Sequence, residues 1–112
     1  MSEKPLKDVH WHGDSLDTVR AFPRKVRIEV GSELYLLQLG LQPVHSKPIS
    51  SVGRGVWEIR VKDANGAFRV FYVVRRNDGI HVLHAFRKKT QKTRQSDIDM
   101  GKSRFNDLKR KN

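Results

Sequence analysis

The chain has 112 residues, 23 Lys and Arg against 12 Asp and Glu, a formal net charge of +11 and no cysteine. This length predicts one domain over residues 1–112 with a single core, and the lack of cysteine excludes disulfides, thiolate metal sites and thiol nucleophiles. The lack of a signal-peptide pattern and of a long apolar run predicts a cytoplasmic protein with no membrane role, while the positive charge predicts a polyanionic partner and a free monomer.

The first third of the chain predicts a short strand followed by two helices. The strand covers residues 9–12, and Asp14 can cap a helix over residues 16–22. A second helix follows Pro23, because apolar residues recur every three or four positions as far as Leu41. We expect the two helices to form an antiparallel hairpin that packs against a sheet.

The middle of the chain predicts a β-meander. Residues 42–55 contain Pro, Gly and Ser without a sustained period, so they are predicted to form a loop. The dipeptides Asn65-Gly66 and Asp78-Gly79 supply the positive φ angles that tight turns need. The strands predicted on either side of these turns are residues 56–62, 67–74 and 80–86.

The chain ends in a predicted basic helix. From Arg87 onward there are 10 basic and 3 acidic residues. Ser96 begins a capping box, and Ile98, Gly101 and Phe105 fall at helical spacing, so a helix over about residues 94–112 should close onto the sheet. The predicted fold class is α+β: an N-terminal helical hairpin packed on a small antiparallel sheet, with the first strand at one edge and a C-terminal helix.

Charged side chains occupy one face of the first meander strand. Alternation places Glu58, Arg60 and Lys62 on one face, while the apolar residues between them face the core. On the next strand Arg69 lies on the opposite side from its apolar neighbours, and the turn can bring it beside Arg60 or Glu58. Two interpretations remain open: a cross-strand ion pair on a solvated sheet, or a phosphate-binding face.

A second group of cations follows the last predicted strand, where Arg87, Lys88, Lys89 and Lys92 stand close together in sequence. Cations at the end of a sheet can hold successive phosphates and stabilise negative charge that develops on a phosphorus centre. A run of charges is also typical of a solvated surface. The charge pattern alone therefore leaves the role of this segment open.

Three blocks of sequence stand in a distinctive order. They are Gly-Val-Trp-Glu-Ile-Arg at 55–60, Phe-Arg-Val-Phe-Tyr at 68–72 and His-Ala-Phe-Arg-Lys-Lys-Thr-Gln-Lys-Thr at 84–93. Their order and spacing resemble the RelE/HigB toxin superfamily, and more narrowly its phage-derived, HigB-like branch. The resemblance extends from about Trp11 to Phe105 and implies a RelE-like fold.

The resemblance implies a toxin of a type II toxin-antitoxin pair that cuts messenger RNA on the ribosome and inhibits translation. Cleavage in this superfamily proceeds by attack of a ribose 2′-OH on the adjacent phosphate, without a metal or another cofactor. The antitoxin of this branch is usually a helix-turn-helix protein. The implied partners are therefore messenger RNA, the ribosome with its RNA, and such an antitoxin.

The resemblance also implies roles for individual residues. Arg60 and Arg69 match basic residues of the first two meander strands, and the second of these contacts the scissile phosphate in the family. Lys88 and Lys89 match the basic pair at the end of the last strand, which would stabilise the transition state or protonate the leaving oxygen. Contacts to RNA or the ribosome are expected from Arg87, Lys92 and Lys62.

The sequence does not identify the general base. Relatives place a tyrosine, or a histidine beside an acid, near the chain end, whereas here no Tyr or His follows His84. Strand alternation places His84 with Val82 and Phe86 in the core, so it is either a catalytic group or a buried structural histidine. His10 and His12 have a spacing that can serve zinc, but a third ligand is lacking, so no metal site is predicted.

Two other functions fit the same residues. The chain could be a module that binds RNA or ribosomes without cutting them, which needs only the basic sheet. It could also be an inactive phage-derived protein kept for its interaction with a partner. The lack of a Tyr or His in the basic tail favours this last alternative.

Overall fold

The structure is a computed structural model that describes residues 5–111 and has an α+β fold. Five strands form one mixed sheet, accompanied by three helices. The strands are β1 (Val9–Trp11), β2 (Ser46–Pro48), β3 (Val56–Asp63), β4 (Gly66–Arg75) and β5 (Gly79–Lys88). The helices are α1 (Ser15–Arg20), α2 (Arg24–Gln38) and α3 (Gln95–Arg110). The C-terminal helix is therefore confirmed, although Asn112, the last residue of its predicted span, lies outside the described residues.

The strand order in the sheet is β1-β5-β4-β3-β2. β1 pairs with β5 in parallel, with His10 opposite His81, whereas the other neighbouring strands are antiparallel. The position of the first strand at one edge is confirmed, but the prediction of a purely antiparallel sheet is wrong there. The reason is that no hairpin turn joins β1 to β5. The chain instead leaves β1 through both N-terminal helices and enters the sheet again at the opposite edge, in β2.

The sheet separates two hydrophobic clusters, one on each face. On the face covered by α1 and α2, which we call the α2 face, Val26 packs with Ile59. On the face covered by α3, which we call the α3 face, Phe105 packs with Phe71. The single core expected from the chain length is thus divided into two by the sheet.

The two N-terminal helices are confirmed close to their predicted positions, and β1 precedes both of them, as predicted. α1 has 6 residues and ends at Arg20, because Pro23 disfavours helical geometry at Phe22. α2 begins directly after Pro23 and has 15 residues. None of the described helices is long and apolar enough to cross a membrane.

The segment predicted as a loop, residues 42–55, contains the short strand β2, which pairs with β3. Glu33 of α2 holds the chain just before this strand. Its buried carboxylate accepts hydrogen bonds from the backbone N–H groups of Val44 and His45 at 2.9 and 2.8 Å. A strand of three residues that ends in proline has no sequence period, so it was not predicted.

A bulge in β5 changes the face on which its side chains lie. Phe71 is opposite His84, whereas Tyr72 is opposite Val82, so Leu83 is an extra residue in β5. The alternation is therefore reversed at this point. His84 lies on the α3 face with Phe71, and the prediction that it shares a face with Val82 is wrong.

The capping box predicted at Ser96 does not begin α3. The cap position is Arg94, and within the described chain no side chain caps this end of the helix. Asp97 in the first turn instead lies 2.8 Å from Nε2 of His84. This contact joins the first turn of α3 to the sheet.

Gly101 allows α3 to approach the sheet closely. A Cβ atom there would lie 2.9 Å from Cδ2 of Phe71 and 3.0 Å from Cγ1 of Val52. Even an alanine would therefore crowd this contact. Ile98 and Phe105 lie on the same buried side of the helix.

Candidate phosphate-binding site

Charged side chains of neighbouring strands lie together on the α3 face of the sheet. Arg60 of β3 is directly opposite Arg69 of β4, which confirms that the turn brings them side by side. The next row with side chains on this face, two residues nearer the β3–β4 turn, contains Lys62, Ala67 and Lys88. We call the following residues the charged cluster: Glu58, Arg60, Lys62, Arg69 and Lys88.

Glu58 lies between the two arginines. Its Oε1 is 3.6 Å from Nε of Arg60, and its Oε2 is 4.0 Å from Nε of Arg69. The side chain of Arg69 is only 3% exposed, whereas that of Arg60 is 37% exposed. Nη1 of Arg69 also donates a hydrogen bond to the carbonyl oxygen of Phe68 at 3.1 Å. The buried arginine is therefore fixed in place, and Arg60 offers the accessible guanidinium.

The electrostatic state of Arg69 indicates an unbalanced positive charge. Burial lowers the pKa of Arg69, and the guanidinium of Arg60 lowers it further, while Glu58 acts in the opposite direction. A guanidinium stays protonated in proteins, so the direction of the shift means that burial and Arg60 together disfavour this cation more than Glu58 favours it. An anion bound beside Arg60 and Arg69 would offset this imbalance.

The ammonium group of Lys88 belongs to the same positive field. Its pKa is lowered first by partial burial and then by the charges of Arg69 and Arg60. A lowered pKa makes an ammonium group a stronger acid. Lys88 therefore combines a positive charge with the capacity to act as an acid.

An open cleft of about 540 Å³ lies beside this cluster at the β2 edge of the sheet. Its walls include Arg60, Lys62 and Arg69 of the charged cluster, together with His45 and Lys47 from the segment around β2. Converging basic side chains in a concave site are suited to phosphate groups. The short strand β2, which the sequence did not reveal, thus contributes to the site.

His84 is held by α3 and not by the charged cluster. Its Nε2 lies 2.8 Å from Oδ1 of Asp97, and its ring stacks on Phe86 with the ring centroids 5.3 Å apart. Its Nδ1 is buried and has no hydrogen-bond partner in the part of the chain that the structure describes. This arrangement favours the structural alternative for His84 over the catalytic one.

The remaining basic residues predicted for the site lie elsewhere. Arg87 is opposite Phe68 and donates a hydrogen bond to the carbonyl oxygen of Asn65. Arg87 and Lys89 line a second groove of about 380 Å³ between α1 and the start of α3. Lys92 is exposed in the connection to α3. As far as residues 5–111 show, these three cations do not join the charged cluster.

A chain of histidines lies at the edge of the sheet formed by β1 and β5. Nε2 of His12 is 2.8 Å from Nδ1 of His81, and Nε2 of His81 is 3.0 Å from Oδ2 of Asp78. His10 stacks on His81 with the ring centroids 4.6 Å apart. Burial is the largest cause of the lowered pKa of both His12 and His81. Among the described residues, no three or more His, Cys, Asp or Glu side chains are grouped so that they could hold a metal ion.

Sequence reasoning did not select Glu58 or Asp97 as site residues. Strand alternation put Glu58 on the charged face, but its place between two guanidiniums depends on the strand register and on side-chain geometry. The contact of Asp97 with His84 depends on how α3 docks on β5. For Glu58 the sequence did contain a signal, because it is an acidic residue in a strand that otherwise alternates basic and apolar residues.

A family model covers most of the chain. The family described as Phage derived protein Gp49-like (DUF891) matches residues 17–106. The chain belongs to this family. The Gp49-like family is associated with RelE-like toxin proteins, which agrees with the resemblance at that level. The matched segment contains the whole charged cluster, and a comparison with curated proteins finds no match.

Proposed function

We propose that this protein is the toxin of a type II toxin-antitoxin system, of the HigB-like branch and with a RelE-like fold. In this proposal it is an endoribonuclease that cleaves messenger RNA on the ribosome without a metal ion. The observation that carries the proposal is the pairing of Arg60 with Arg69 across neighbouring strands, with Glu58 between them and Lys88 in the adjacent row. Membership of the Gp49-like family supports the toxin class.

The reaction requires one proton to leave the ribose 2′-OH and another to reach the departing oxygen. The 2′ oxygen bonds to the adjacent phosphorus while the bond from phosphorus to the 5′ oxygen breaks. The products are a cyclic phosphate and a free 5′-OH. We assign the first proton to the carboxylate of Glu58 and the second to the ammonium of Lys88, because these are the acid–base groups of the charged cluster.

The two arginines have different roles in this mechanism. Arg60 is the more accessible, so it binds the non-bridging phosphate oxygens and stabilises the charge that develops on them. Arg69 is almost fully buried, so it acts through its charge and by fixing the position of Glu58 more than through a broad contact with RNA. Loss of either charge should impair cleavage.

The other candidate residues are assigned supporting roles. His84 anchors the first turn of α3 through Asp97. Lys62 extends the charged cluster towards the β3–β4 turn. Contacts to flanking messenger RNA or to ribosomal RNA are assigned to the basic residues outside the cluster, namely Arg87, Lys89 and Lys92.

The proposal includes the partners and the state of the protein. A net charge of +11 attracts messenger RNA and ribosomal RNA and disfavours self-association, which supports a free monomer. A helix-turn-helix antitoxin would silence the toxin in the cytoplasm. The shared sheet of all described strands supports a single domain over residues 1–112.

Expression in bacteria that lack the antitoxin tests the proposed function. Wild type should arrest growth, and mapping of messenger RNA ends should reveal new termini with a 5′-OH. Arg60→Ala should remove both effects because it deletes the accessible guanidinium. Lys102→Ala, which removes an exposed cation of α3 outside both the charged cluster and the groove of Arg87 and Lys89, is the matched control and should stay toxic. The proposal fails if wild type and Arg60→Ala are equally harmless while both are folded and abundant.

RNA binding without cleavage is the second candidate function. It is favoured by the engagement of the Glu58 carboxylate with two guanidiniums, which would oppose its action as a base. Growth arrest by wild type without new messenger RNA termini would select this candidate. If cleavage occurs, Glu58→Gln and Lys88→Arg should still bind ribosomes but should cut programmed messenger RNA much more slowly, because neither replacement side chain performs the assigned proton transfer.

A further inference from the structure

α2 carries apolar side chains on the side that faces away from the sheet. Ile28, Tyr35 and Leu39 are 59%, 51% and 46% exposed. Their spacing of seven and then four residues places them on one line along the helix and its C-terminal end. We call these three residues the α2 stripe. Single exposed apolar residues are common on protein surfaces, but an aligned set is typical of an interaction site.

The α2 stripe is not a part of the core that failed to pack. The opposite side of the helix is complete, because Val26, Val30 and Leu37 are buried against the sheet. α2 is therefore apolar on two sides, although a surface helix needs only one apolar side to dock on its own domain. The second apolar side is available for another molecule.

At the centre of the α2 stripe, no described side chain covers the helix backbone. Gly31 lies between Ile28 and Tyr35, and an added Cβ there would meet no described atom of the rest of the chain within 4 Å. Glycine in a helix interior costs about 1 kcal/mol relative to alanine, and packing within this protein does not require it here. An exposed glycine flanked by large apolar side chains allows another helix to approach closely, with anchors at helical spacing.

The charges around the stripe favour an acidic partner. Arg24 and Lys25 are exposed about one turn before Ile28, and Arg20 is exposed at the end of α1. Glu29, the nearby acidic residue, is only half-exposed and lines the cleft beside the charged cluster. A second copy of this chain would bring like charges together, in addition to the repulsion expected from a net charge of +11.

We propose that the α2 stripe binds an acidic amphipathic helix of another protein. The apolar side of that helix would pack on Ile28, Tyr35 and Leu39, and its acidic flank would pair with Arg24 and Lys25. α2 covers one face of the sheet and the charged cluster lies on the other. Glu29 of α2 lines the cleft beside that cluster, but the residues of the α2 stripe do not. The helix and the scissile phosphate would therefore be bound by different residues, so this inference goes beyond the proposed nuclease and does not depend on it.

A synthetic helical peptide serves as the probe. It has about four heptads with leucines on one side and glutamates along the flanks, and a second peptide carries lysines in place of the glutamates. Fluorescence anisotropy measures the binding of each labelled peptide to the purified full chain. The acidic peptide should bind wild type, the basic peptide should not, and Tyr35→Asp and Ile28→Asp should each weaken binding about tenfold or more.

Met100→Asp is the matched control, because it adds the same negative charge at an exposed apolar residue on α3. It should leave the affinity for the acidic peptide unchanged. An excess of single-stranded RNA should also leave the peptide bound, and this result is independent of whether the protein cleaves RNA. Circular dichroism establishes that each variant is folded.

Four results would overturn the proposal. The first is that the acidic peptide does not bind, and the second is that Tyr35→Asp and Ile28→Asp bind it as well as wild type does. The third is a dimer of wild type in light scattering that becomes a monomer in Tyr35→Asp, which would assign the stripe to a second copy of the chain. Displacement of the peptide by RNA would likewise exclude a separate surface.

Discussion

Replacement of Glu58 by glutamine tests how the charged cluster is held together. The change removes the carboxylate from between Arg60 and Arg69 but keeps the shape of the side chain. Arg69 then loses the negative charge 4.0 Å from its Nε and remains a buried cation. Two unit charges about 4 Å apart interact by about 4 kcal/mol at an effective dielectric constant of about 20. The change also removes the cost of partly burying a charged carboxylate. We therefore expect a net loss of about 2 kcal/mol in the free energy of unfolding.

A double-mutant cycle isolates the interaction between Glu58 and Arg69. Wild type, Glu58→Gln, Arg69→Met and the double variant are unfolded with urea at neutral pH. The double variant should lose less free energy of unfolding than the sum of the losses in the two single variants, and the difference, the coupling energy, should be about 2 kcal/mol. Arg60 is 37% exposed, so the same cycle with Arg60→Met should give a coupling energy of about 0.5 kcal/mol or less.

A coupling energy between Glu58 and Arg69 below about 0.5 kcal/mol would refute this reasoning. It would mean that the hydrogen bond to the carbonyl oxygen of Phe68 and packing are sufficient to hold the buried guanidinium. Salt gives a second check, because a buried pair is screened less than an exposed one. The coupling of Glu58 with Arg69 should persist at about 0.5 M salt, whereas that with Arg60 should decrease.

Other parts of the fold allow further tests by urea unfolding. Gly101→Ala should lower the free energy of unfolding by about 1–3 kcal/mol, because the added methyl group crowds the contact of α3 with the sheet. Gly31→Ala has open space around it in the described structure and should raise the free energy of unfolding by about 1 kcal/mol. Equal effects of the two substitutions would contradict the packing of α3. Glu33→Ala should cost about 2 kcal/mol because it leaves two backbone N–H groups without their acceptor, and unchanged stability would contradict that role. The folded-state pKa values of His12 and His81 lie below the ordinary 6.5, so the unfolded chain binds protons first as pH falls through 6.5. The free energy of unfolding should therefore decrease from pH 7.5 to pH 5.5, and less so in a His12→Gln variant; a pH-independent urea midpoint in wild type would show that burial of these rings is not coupled to folding.

The meander could be predicted from the sequence because its signals are local. Gly66 and Gly79 have φ angles of 130° and 105°, a region that favours glycine, and each follows an Asn or Asp in a turn. Strand alternation between these turns then gave the bounds of β3, β4 and β5 to within two residues. The opposition of Arg60 and Arg69 follows from the same turn, so this part of the candidate site was predictable.

The bulge and the short strand could not be predicted because they depend on pairing between segments. Nothing in the sequence of β5 identifies Leu83 as the extra residue, and this single residue determines the face on which His84 lies. β2 depends on the buried carboxylate of Glu33, which belongs to another element. The same limit applies to Asp97, whose contact with His84 exists only once α3 has docked.

The burial of Arg69 links the stability of the charged cluster to its proposed chemistry. The guanidinium is held by the carbonyl oxygen of Phe68 and faces Glu58, so its position is fixed before any RNA binds. Fixed positive groups stabilise developing negative charge most effectively, because they need no reorganisation during the reaction. Burial, and then the neighbouring charge of Arg60, lower the pKa of Arg69 and so disfavour its cation, and a phosphate bound beside Arg60 would offset this effect. In the proposed function, the feature that weakens the unbound cluster would therefore be the one that favours phosphate binding.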